Sequence, residues 1–256
     1  MKNPTEKTTK SLWNWKALLL CHLAIAFLLG TFLWPVTSEY WDILDRSFFS
    51  FINSSLEGNK TWQIFWAFAN HRNADWVEDV CFLLFFIAYV RSVNGLSKER
   101  KIAQMLFCTL FSALVIFSIN HMIFRELISV YRSSPSIVVE GSIRISKIFR
   151  WISIKDSSYK CFPSDHATTA LLFAVSYSFF ANRKLAIIAC LYTVFLCMPR
   201  LILGAHWLSD VIVGGGSITI LFLGWALCTP LHHRITNYCE RMVRFCYFWR
   251  RKTSTV

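Results

Sequence analysis

The chain has 256 residues, 55% of them hydrophobic, and its formal net charge at pH 7 is +12. This length suggests one domain, and the apolar composition favours a membrane protein over a soluble protein with unusually long core helices. A strongly positive chain can bind nucleic acids, membrane surfaces or phosphate groups. Nothing in the sequence resembles a nucleic-acid-binding module, so the charge indicates affinity for membrane surfaces and phosphate groups.

Six apolar stretches are candidates for membrane-spanning helices. They are Trp15–Trp34, Trp76–Val90, Ile102–Ile123, Ala167–Ala181, Leu185–Met198 and Val211–Cys228. We therefore expect an all-α fold, an integral membrane bundle of six helices that occupies residues 15–228. Residues 1–14 would form an N-terminal tail, and residues 229–256 a basic C-terminal tail, both cytoplasmic.

The expected topology follows from the lysines and arginines. With six spans, both tails and two short basic loops share one side, which the positive-inside rule makes cytoplasmic. The opposite side receives residues 35–75, residues 124–165 and the connection 200–206. The second of these segments is basic as well, which indicates an anionic partner on that side; its basic residues are Arg125, Arg132, Arg144, Lys147, Arg150, Lys155 and Lys160.

Three polar residues, Arg200, His206 and Asp210, interrupt the last apolar stretches. Charged groups at membrane depth are costly, so their presence favours a functional role. The arginine can neutralise an oxyanion, and the histidine can attack phosphorus or transfer a proton. We expect the carboxylate of Asp210 to accept a hydrogen bond from the His206 ring, and Gly204 to break the helix so that Arg200 and His206 both turn inward.

Two further polar segments fall on the same predicted face. In the run from Pro163 to His166, Ser164 is expected to cap a helix whose free N–H groups form an anion site. His166 would lie in the first turn of that helix, close enough to pass a proton to a leaving oxygen. Ahead of it lie Arg125 and Arg132, which are candidate phosphate ligands; the alternative for Arg125 is to snorkel at the end of the third span.

These segments resemble the motifs of the type 2 phosphatidic acid phosphatase (PAP2) superfamily. That family has Lys-x6-Arg-Pro, then Pro-Ser-Gly-His, then Ser-Arg-x5-His-x3-Asp. Here the third motif is present at full spacing, with Pro199 in place of serine. The second motif has Asp165 in place of glycine, and the first has Arg125 in place of lysine, with its proline displaced to Pro135.

The resemblance implies an enzyme of the PAP2 and haloperoxidase fold that needs no metal or organic cofactor. His206 would attack phosphorus and form a phosphohistidine, Asp210 would orient its ring, and His166 would protonate the leaving oxygen. The phosphate-binding group would be Arg132, Arg200, Ser164, Arg125 and Asp165.

The departures from the common motifs are similar to one bacterial branch of the family. They include Arg-Ser-Ser-Pro at 132–135, Phe-Pro-Ser-Asp-His at 162–166 and the stretch Asn70–Asp75. That branch moves phosphate from undecaprenyl diphosphate to the 1-phosphate of lipid A, in the inner membrane with its site facing the periplasm. The partners implied are thus two lipids in a membrane. Two alternatives stay open: a PAP2-type lipid phosphatase that uses water as acceptor, and a non-catalytic transporter or scaffold.

Overall fold

The computed structural model describes residues 13–71, 73–92, 94–119, 123 and 131–253. These residues form eleven α-helices, a π-helix and a short π-helical stretch at residues 116–119, and their only β pairing is two isolated bridges. The helices are α1 (Trp15–Leu33), α2 (Pro35–Ser54), α3 (Lys60–Ala69), α4 (Ala74–Ser92), α5 (Lys98–Val115), α6 (Pro135–Val138), α7 (Ile145–Ile148), α8 (Asp165–Phe180), α9 (Arg183–Ile202), α10 (Gly216–Cys228) and α11 (Leu231–Thr253). The π-helix, Asp210–Gly215, leads directly into α10.

Side-chain caps fix where several long helices begin. Asn14, Ser97 and Asn182 each accept a hydrogen bond at 3.1 Å from the backbone N–H three residues later. Such a cap satisfies one of the backbone donors that a first helical turn leaves without a partner. The residues at which α1, α5 and α9 begin are thus determined by the local sequence.

Within the part of the chain that the structure describes, four helical segments are long and apolar enough to cross a membrane: Trp15–Leu33, Lys98–Ile119, Arg183–Ile202 and Asp210–Cys228. The other two expected spans also coincide with helices, α4 and α8. However, α8 has 16 residues, fewer than the roughly 20 that a bilayer requires, and α4 carries Glu78 and Asp79. The all-helical membrane class is confirmed, whereas the count of six spans is not established.

The helix α8 lies at the centre of the bundle, in contact with α5, α9 and α10. A two-residue link, Ala181 and Asn182, joins α8 to α9, so the two helices run antiparallel. The start of α8 therefore lies beside the end of α9, which places the second and third sequence motifs at the same end of the bundle. On the other side of this end, α1 packs against α10 and α2.

The C-terminal segment is a helix that packs along α5. Arg100 on α5 donates a hydrogen bond to the carboxylate of Glu240 on α11, at 3.0 Å. Most of the residues expected to form a basic tail therefore belong to this long helix.

Candidate active site

Ser164 begins α8 as the sequence predicted. Its hydroxyl accepts a hydrogen bond from the backbone N–H of Ala167 at 3.4 Å, and its carbonyl accepts one from Thr168 at 2.9 Å. Asp165 is exposed in the first turn, whereas His166 is partly buried and turns toward α9. The first turn of α8 thus presents an imidazole and the positive end of a helix dipole at the same place.

Gly204 reverses the chain between Arg200 and His206, which confirms the predicted helix break. The helix α9 ends at Ile202, and Gly204 has a φ of +76°, a conformation that favours glycine. The backbone N–H groups of Ala205 and His206 both return to the carbonyl of Arg200, at 2.9 and 3.3 Å. This turn holds the arginine and the histidine on one short, folded segment.

Arg200 and His166 are hydrogen-bonded to each other, with Nη2 of the arginine 2.7 Å from Nε2 of the imidazole. A guanidinium group can only donate, so Nε2 must accept, and the ring is neutral with its proton on Nδ1. The other Nη atom of Arg200 donates to the side-chain oxygen of Asn70, at the end of α3. Asn70 is buried and is held in turn by the carbonyl of Lys155, at 3.1 Å.

The His206 ring is held by a backbone carbonyl, which corrects one expectation. Its Nδ1 atom lies 2.7 Å from the carbonyl oxygen of Cys161, whereas Oδ2 of Asp210 lies 3.6 Å from the same nitrogen. A carbonyl accepts only, so Nδ1 carries the proton and Nε2 carries the lone pair. Asp210 is therefore a nearby charge for the ring and not its hydrogen-bond acceptor.

Asp210 is instead bound by donors other than the ring. The backbone N–H of Trp207 donates to Oδ2 at 2.8 Å, and the guanidinium of Arg132 donates to Oδ1. Arg132 also donates to the hydroxyl of Ser209 at 2.9 Å and to the carboxylate of Asp45 at 2.8 Å. Three hydrogen bonds of this arginine are thus made within the protein, two of them to buried carboxylates.

Asp45 is a charged residue that the sequence analysis missed. It lies on α2 with no exposed surface, and its carboxylate accepts hydrogen bonds from Arg132 and from both the backbone N–H and the hydroxyl of Ser209. No motif includes Asp45. The one signal in the sequence is an acid among the hydrophobic residues of an amphipathic helix, three residues after Asp42, which forms an exposed ion pair with Arg46.

Burial and the neighbouring charges act in opposite directions on the pKa values of Arg132 and Asp45. Burial alone would lower the pKa of Arg132, but the carboxylates of Asp210 and Asp45 outweigh it and raise that pKa above its usual value. Burial raises the pKa of Asp45, and this effect outweighs the hydrogen bonds from Ser209 and the ion pair with Arg132, which favour the ionised form. Two buried carboxylates and the partly exposed Arg132 thus lie together, with Asp210 3.6 Å from Nδ1 of His206.

The structure thus brings six of the eight predicted site residues to one end of the bundle. Ser164, His166, Arg200, His206, Asp210 and Arg132 are linked by the contacts above and by a bond from Ser164 N–H to the Asp210 carbonyl at 3.4 Å. Asp165 lies in the same helical turn but points to solvent. Arg125 lies outside the described residues.

A polar cavity of about 340 Å³ lies near this site, between residues 136–147 and residues 157–159. Arg144 and Lys147 line it, together with Ser136, whose backbone N–H donates to the carbonyl of Gly204 at 3.2 Å. Arg144 is paired with the buried Asp156 at 3.3 Å. Part of the basic segment that follows Arg132 is therefore folded against the Gly204 turn.

Comparison with known proteins identifies the family of this chain. The family model of the PAP2 superfamily matches residues 101–236. Lipid A 1-diphosphate synthase of Escherichia coli (strain K12) is 27% identical over 223 residues, which cover 87% of this chain and 91% of that protein. Lipid A 1-phosphatase of Rhizobium etli is 37% identical over 70 residues, 27% of each chain. No solved structure matches. With the family model spanning more than half of its length and two enzymes among its relatives, this chain belongs to the PAP2 superfamily and is an enzyme.

Proposed function

We propose that the protein transfers phosphate from a lipid diphosphate, undecaprenyl diphosphate, to the 1-phosphate of lipid A through a phosphohistidine on His206. The observation that carries the proposal is the state of the His206 ring. Because Nδ1 is bound to the Cys161 carbonyl at 2.7 Å, the lone pair is on Nε2, the atom that would attack. Arg200 and His166 lie on the segments adjacent to that ring.

In the first step, Nε2 of His206 forms a bond to the terminal phosphorus, and the bond from that phosphorus to the bridging oxygen breaks. The leaving lipid monophosphate takes a proton from His166. Arg200 and the N–H groups at the start of α8 stabilise the charge on the transferred oxygens. Asp210, 3.6 Å from Nδ1, offsets the positive charge that develops on the His206 ring.

His166 acts as an acid only after the substrate is bound. In the site without substrate its Nε2 accepts a hydrogen bond from Arg200 at 2.7 Å, so that nitrogen has no proton to give. A phosphate that takes over the Arg200 donor releases Nε2, which then receives a proton from the incoming monoprotonated phosphate. In the second step an oxygen of the acceptor phosphate bonds to phosphorus as the bond from phosphorus to Nε2 of His206 breaks. The neutral His166 ring takes the proton of the acceptor and returns it to the product phosphate, which leaves the ring neutral for the next cycle.

Transfer rather than hydrolysis is favoured by the extent of the similarity. The lipid A 1-diphosphate synthase matches 87% of the chain, whereas the lipid A 1-phosphatase matches 27%. The acceptor is itself an anion, and Lys147 in the cavity beside the Gly204 turn supplies positive charge for it, whereas the charge of Arg144 in that cavity is balanced by Asp156. The site would face the periplasm across the bacterial inner membrane, as the charge asymmetry of the short loops indicates.

The second candidate is a PAP2-type lipid phosphatase that uses the same steps with water as acceptor. The observation that favours it is the 37% identity to a lipid A 1-phosphatase over 70 residues. The two candidates differ in whether the phosphohistidine waits for a second lipid or reacts at once with water.

The test supplies purified protein in detergent with labelled undecaprenyl diphosphate, with and without lipid A, and measures free phosphate and phosphorylated lipid. We expect slow release of free phosphate from the donor alone, and donor consumption at least tenfold faster when lipid A is present, with the label on lipid A. Fast phosphate release that is indifferent to lipid A would identify a phosphatase instead. Label on neither product would contradict both candidates.

A further inference from the structure

An apolar cavity of about 610 Å³ lies between α3, α4 and α9, and we call it the lateral cavity. Each helix contributes one face to it: Phe65 and Phe68 on α3, Val77 and Cys81 on α4, and Leu196 on α9 are among its lining residues. Residues three or four positions apart lie on the same side of a helix. Phe65, Phe68 and Val77 are exposed, and exposed apolar side chains of a membrane bundle face lipid. The lateral cavity is thus a recess that lipid can enter from the side of the bundle.

Polar groups close one end of the lateral cavity, at the turn between α3 and α4. His71 and Asn73 line the cavity there, and a backbone bridge from His71 to Ile154 fixes the turn. The backbone N–H of Asn73 donates to Nδ1 of His71 at 3.1 Å, so the ring is neutral with its proton on Nε2. That N–H group and the side-chain amide of Asn73, which is exposed, are hydrogen-bond donors for a ligand.

The same turn meets Arg200 of the candidate active site. Pro199 lines the lateral cavity, and Arg200 follows it on α9. The guanidinium of Arg200 donates to the side chain of Asn70, which lies between two lining residues of the turn, and it reaches His166 at 2.7 Å. A ligand in the lateral cavity therefore has a proposed phosphate ligand at its polar end.

We propose that the lateral cavity binds the acceptor as a phosphorylated glycolipid, with its acyl chains between the helices, its sugar at the polar turn and its phosphate directed at Arg200. The inference rests on the proposed transfer reaction. A sugar with hydroxyl and amide groups uses the donors of His71 and Asn73, whereas a prenyl diphosphate has no such groups between its hydrocarbon chain and its phosphates. Glu78 on α4 also lines the cavity, and a carboxylate accepts hydrogen bonds from sugar hydroxyls. Glu78 thereby gains a role in a helix where a charge is costly.

A second apolar cavity, of about 620 Å³, lies on the other side of α4, against α5 and α8, and it suits a sugar less well. Thr109 and Thr169 line it, but each hydroxyl donates to a carbonyl of its own helix, at 3.1 and 3.0 Å. Among the described lining residues, an imidazole and an amide side chain occur in the lateral cavity and not in this one. The two cavities are therefore chemically distinct, and the head group of the acceptor fits the lateral one.

The first experiment asks what the lateral cavity binds. The photoreactive residue benzoylphenylalanine replaces Phe195, which lines the cavity, or Cys190, which is exposed on another face of α9 and does not line it. Purified protein in detergent is illuminated with labelled lipid A, and the label on the protein is measured. We expect capture at position 195 and only background at position 190. Excess unlabelled lipid A should abolish the capture, whereas undecaprenyl phosphate and phosphatidylglycerol should not.

Three outcomes of this experiment contradict the proposal. Equal capture at the two positions would show that the lateral cavity has no preference for the glycolipid. Competition by undecaprenyl phosphate as strong as that by lipid A would assign the cavity to the chain of the donor. Equal competition by phosphatidylglycerol would make it a site for any membrane lipid.

The second experiment compares matched tryptophan substitutions. Cys81→Trp places an indole ring in the lateral cavity, whereas Cys190→Trp adds the same ring on the exposed side of α9. The measurements are phosphorylation of lipid A and release of free phosphate from the donor alone. In Cys81→Trp we expect the ratio of transfer to donor hydrolysis to fall at least about tenfold, the size typical of a mismatched apolar pocket. In Cys190→Trp the ratio should match that of the wild type.

An unchanged ratio in Cys81→Trp is the contrary result. Should that variant fail to fold, as judged by its gel-filtration profile in detergent, the capture experiment decides alone. The polar turn is tested by His71→Leu, in which loss of one hydrogen bond should raise the KM for lipid A about three- to tenfold and change kcat less. An unchanged KM would refute the assignment of the sugar to this turn.

Failure of the proposed function gives a different pattern. If the wild type transfers no label to lipid A while capture at position 195 is specific, the proposed transfer is wrong and the lateral cavity is still the glycolipid site. If transfer proceeds and capture at position 195 does not exceed that at position 190, the transfer reaction stands and the acceptor binds elsewhere.

Discussion

Replacing Gly204 with alanine is expected to damage both the stability and the activity of the protein. Gly204 has a φ of +76°, which costs an L-residue about 1–2 kcal/mol. A Cβ atom built there would lie 2.8 Å from Cε2 of Phe49 and 2.9 Å from Cβ of Ser136, closer than carbon atoms tolerate. Overpacking of this kind costs about 1–3 kcal/mol, so the expected total loss is about 2–5 kcal/mol of unfolding free energy.

The clash at Gly204 also affects the candidate active site, through the contact between Phe49 and Trp207. Phe49 is buried and its ring packs edge-to-face on Trp207, with 6.3 Å between the ring centroids. The backbone of Trp207 in turn donates to Asp210 at 2.8 Å, and Trp207 follows His206 in the chain. Relief of the clash therefore displaces the segment that carries His206, the proposed nucleophile, and we expect kcat to fall more than about tenfold, since small misplacements of reacting groups are costly.

The matched control is Gly58→Ala. Gly58 has a φ of +66°, and an added Cβ would meet nothing within 4 Å, so this variant carries the backbone penalty without the clash. The assay is the thermal midpoint in detergent, together with donor turnover at 25 °C. We expect Gly58→Ala to lose about 1–2 kcal/mol and to keep its kcat. Equal destabilisation and equal activity in the two variants would refute the argument from the clash.

Two further sets of variants test the site and its orientation. His206→Ala should form no phosphohistidine, whereas His166→Ala should lose about 10²–10⁴-fold in rate and be partly rescued by a donor with a better leaving group; labelled phosphohistidine in His206→Ala would contradict the assignment. Asp210→Asn should keep the fold, measured by its thermal midpoint, and lose rate. For topology, reporter fusions at Ser158 and after Val256 should give opposite signals, and matching signals would argue against a site that faces the periplasm.

The parts of the site that the sequence predicts are those with a local cause. Ser164 caps α8 because its hydroxyl reaches a backbone N–H three residues away, and Gly204 turns the chain because glycine tolerates a positive φ. Both effects depend only on neighbouring residues, so they can be read from the chain. The spacing of Arg200, His206 and Asp210 also predicts that these residues lie close together, because one short folded segment carries all three.

The contacts that the sequence did not predict join residues far apart in the chain. The His206 ring bonds to the carbonyl of Cys161, and any residue type has a carbonyl, so no residue identity signals it. Asp45 meets Ser209 across 164 positions, and Asn70 meets Arg200 across 130. The number of spans stayed open for another reason: Glu78 and Asp79 on α4 make its composition ambiguous for a membrane helix.

Asp45 lies on α2 and Asn70 at the end of α3, and these positions affect how chimeric proteins can be built from two family members. Each of these residues holds one arginine of the site, yet both come before residue 101, where the family match begins. A chimera that takes residues 101–236 from this chain and its first hundred residues from a distant relative would have every side chain that we propose as catalytic. It would lack Asp45 and Asn70, which hold the two arginines in place. The interchangeable module thus starts at about α2, and hybrid enzymes joined there should be active where those joined at the family boundary are not.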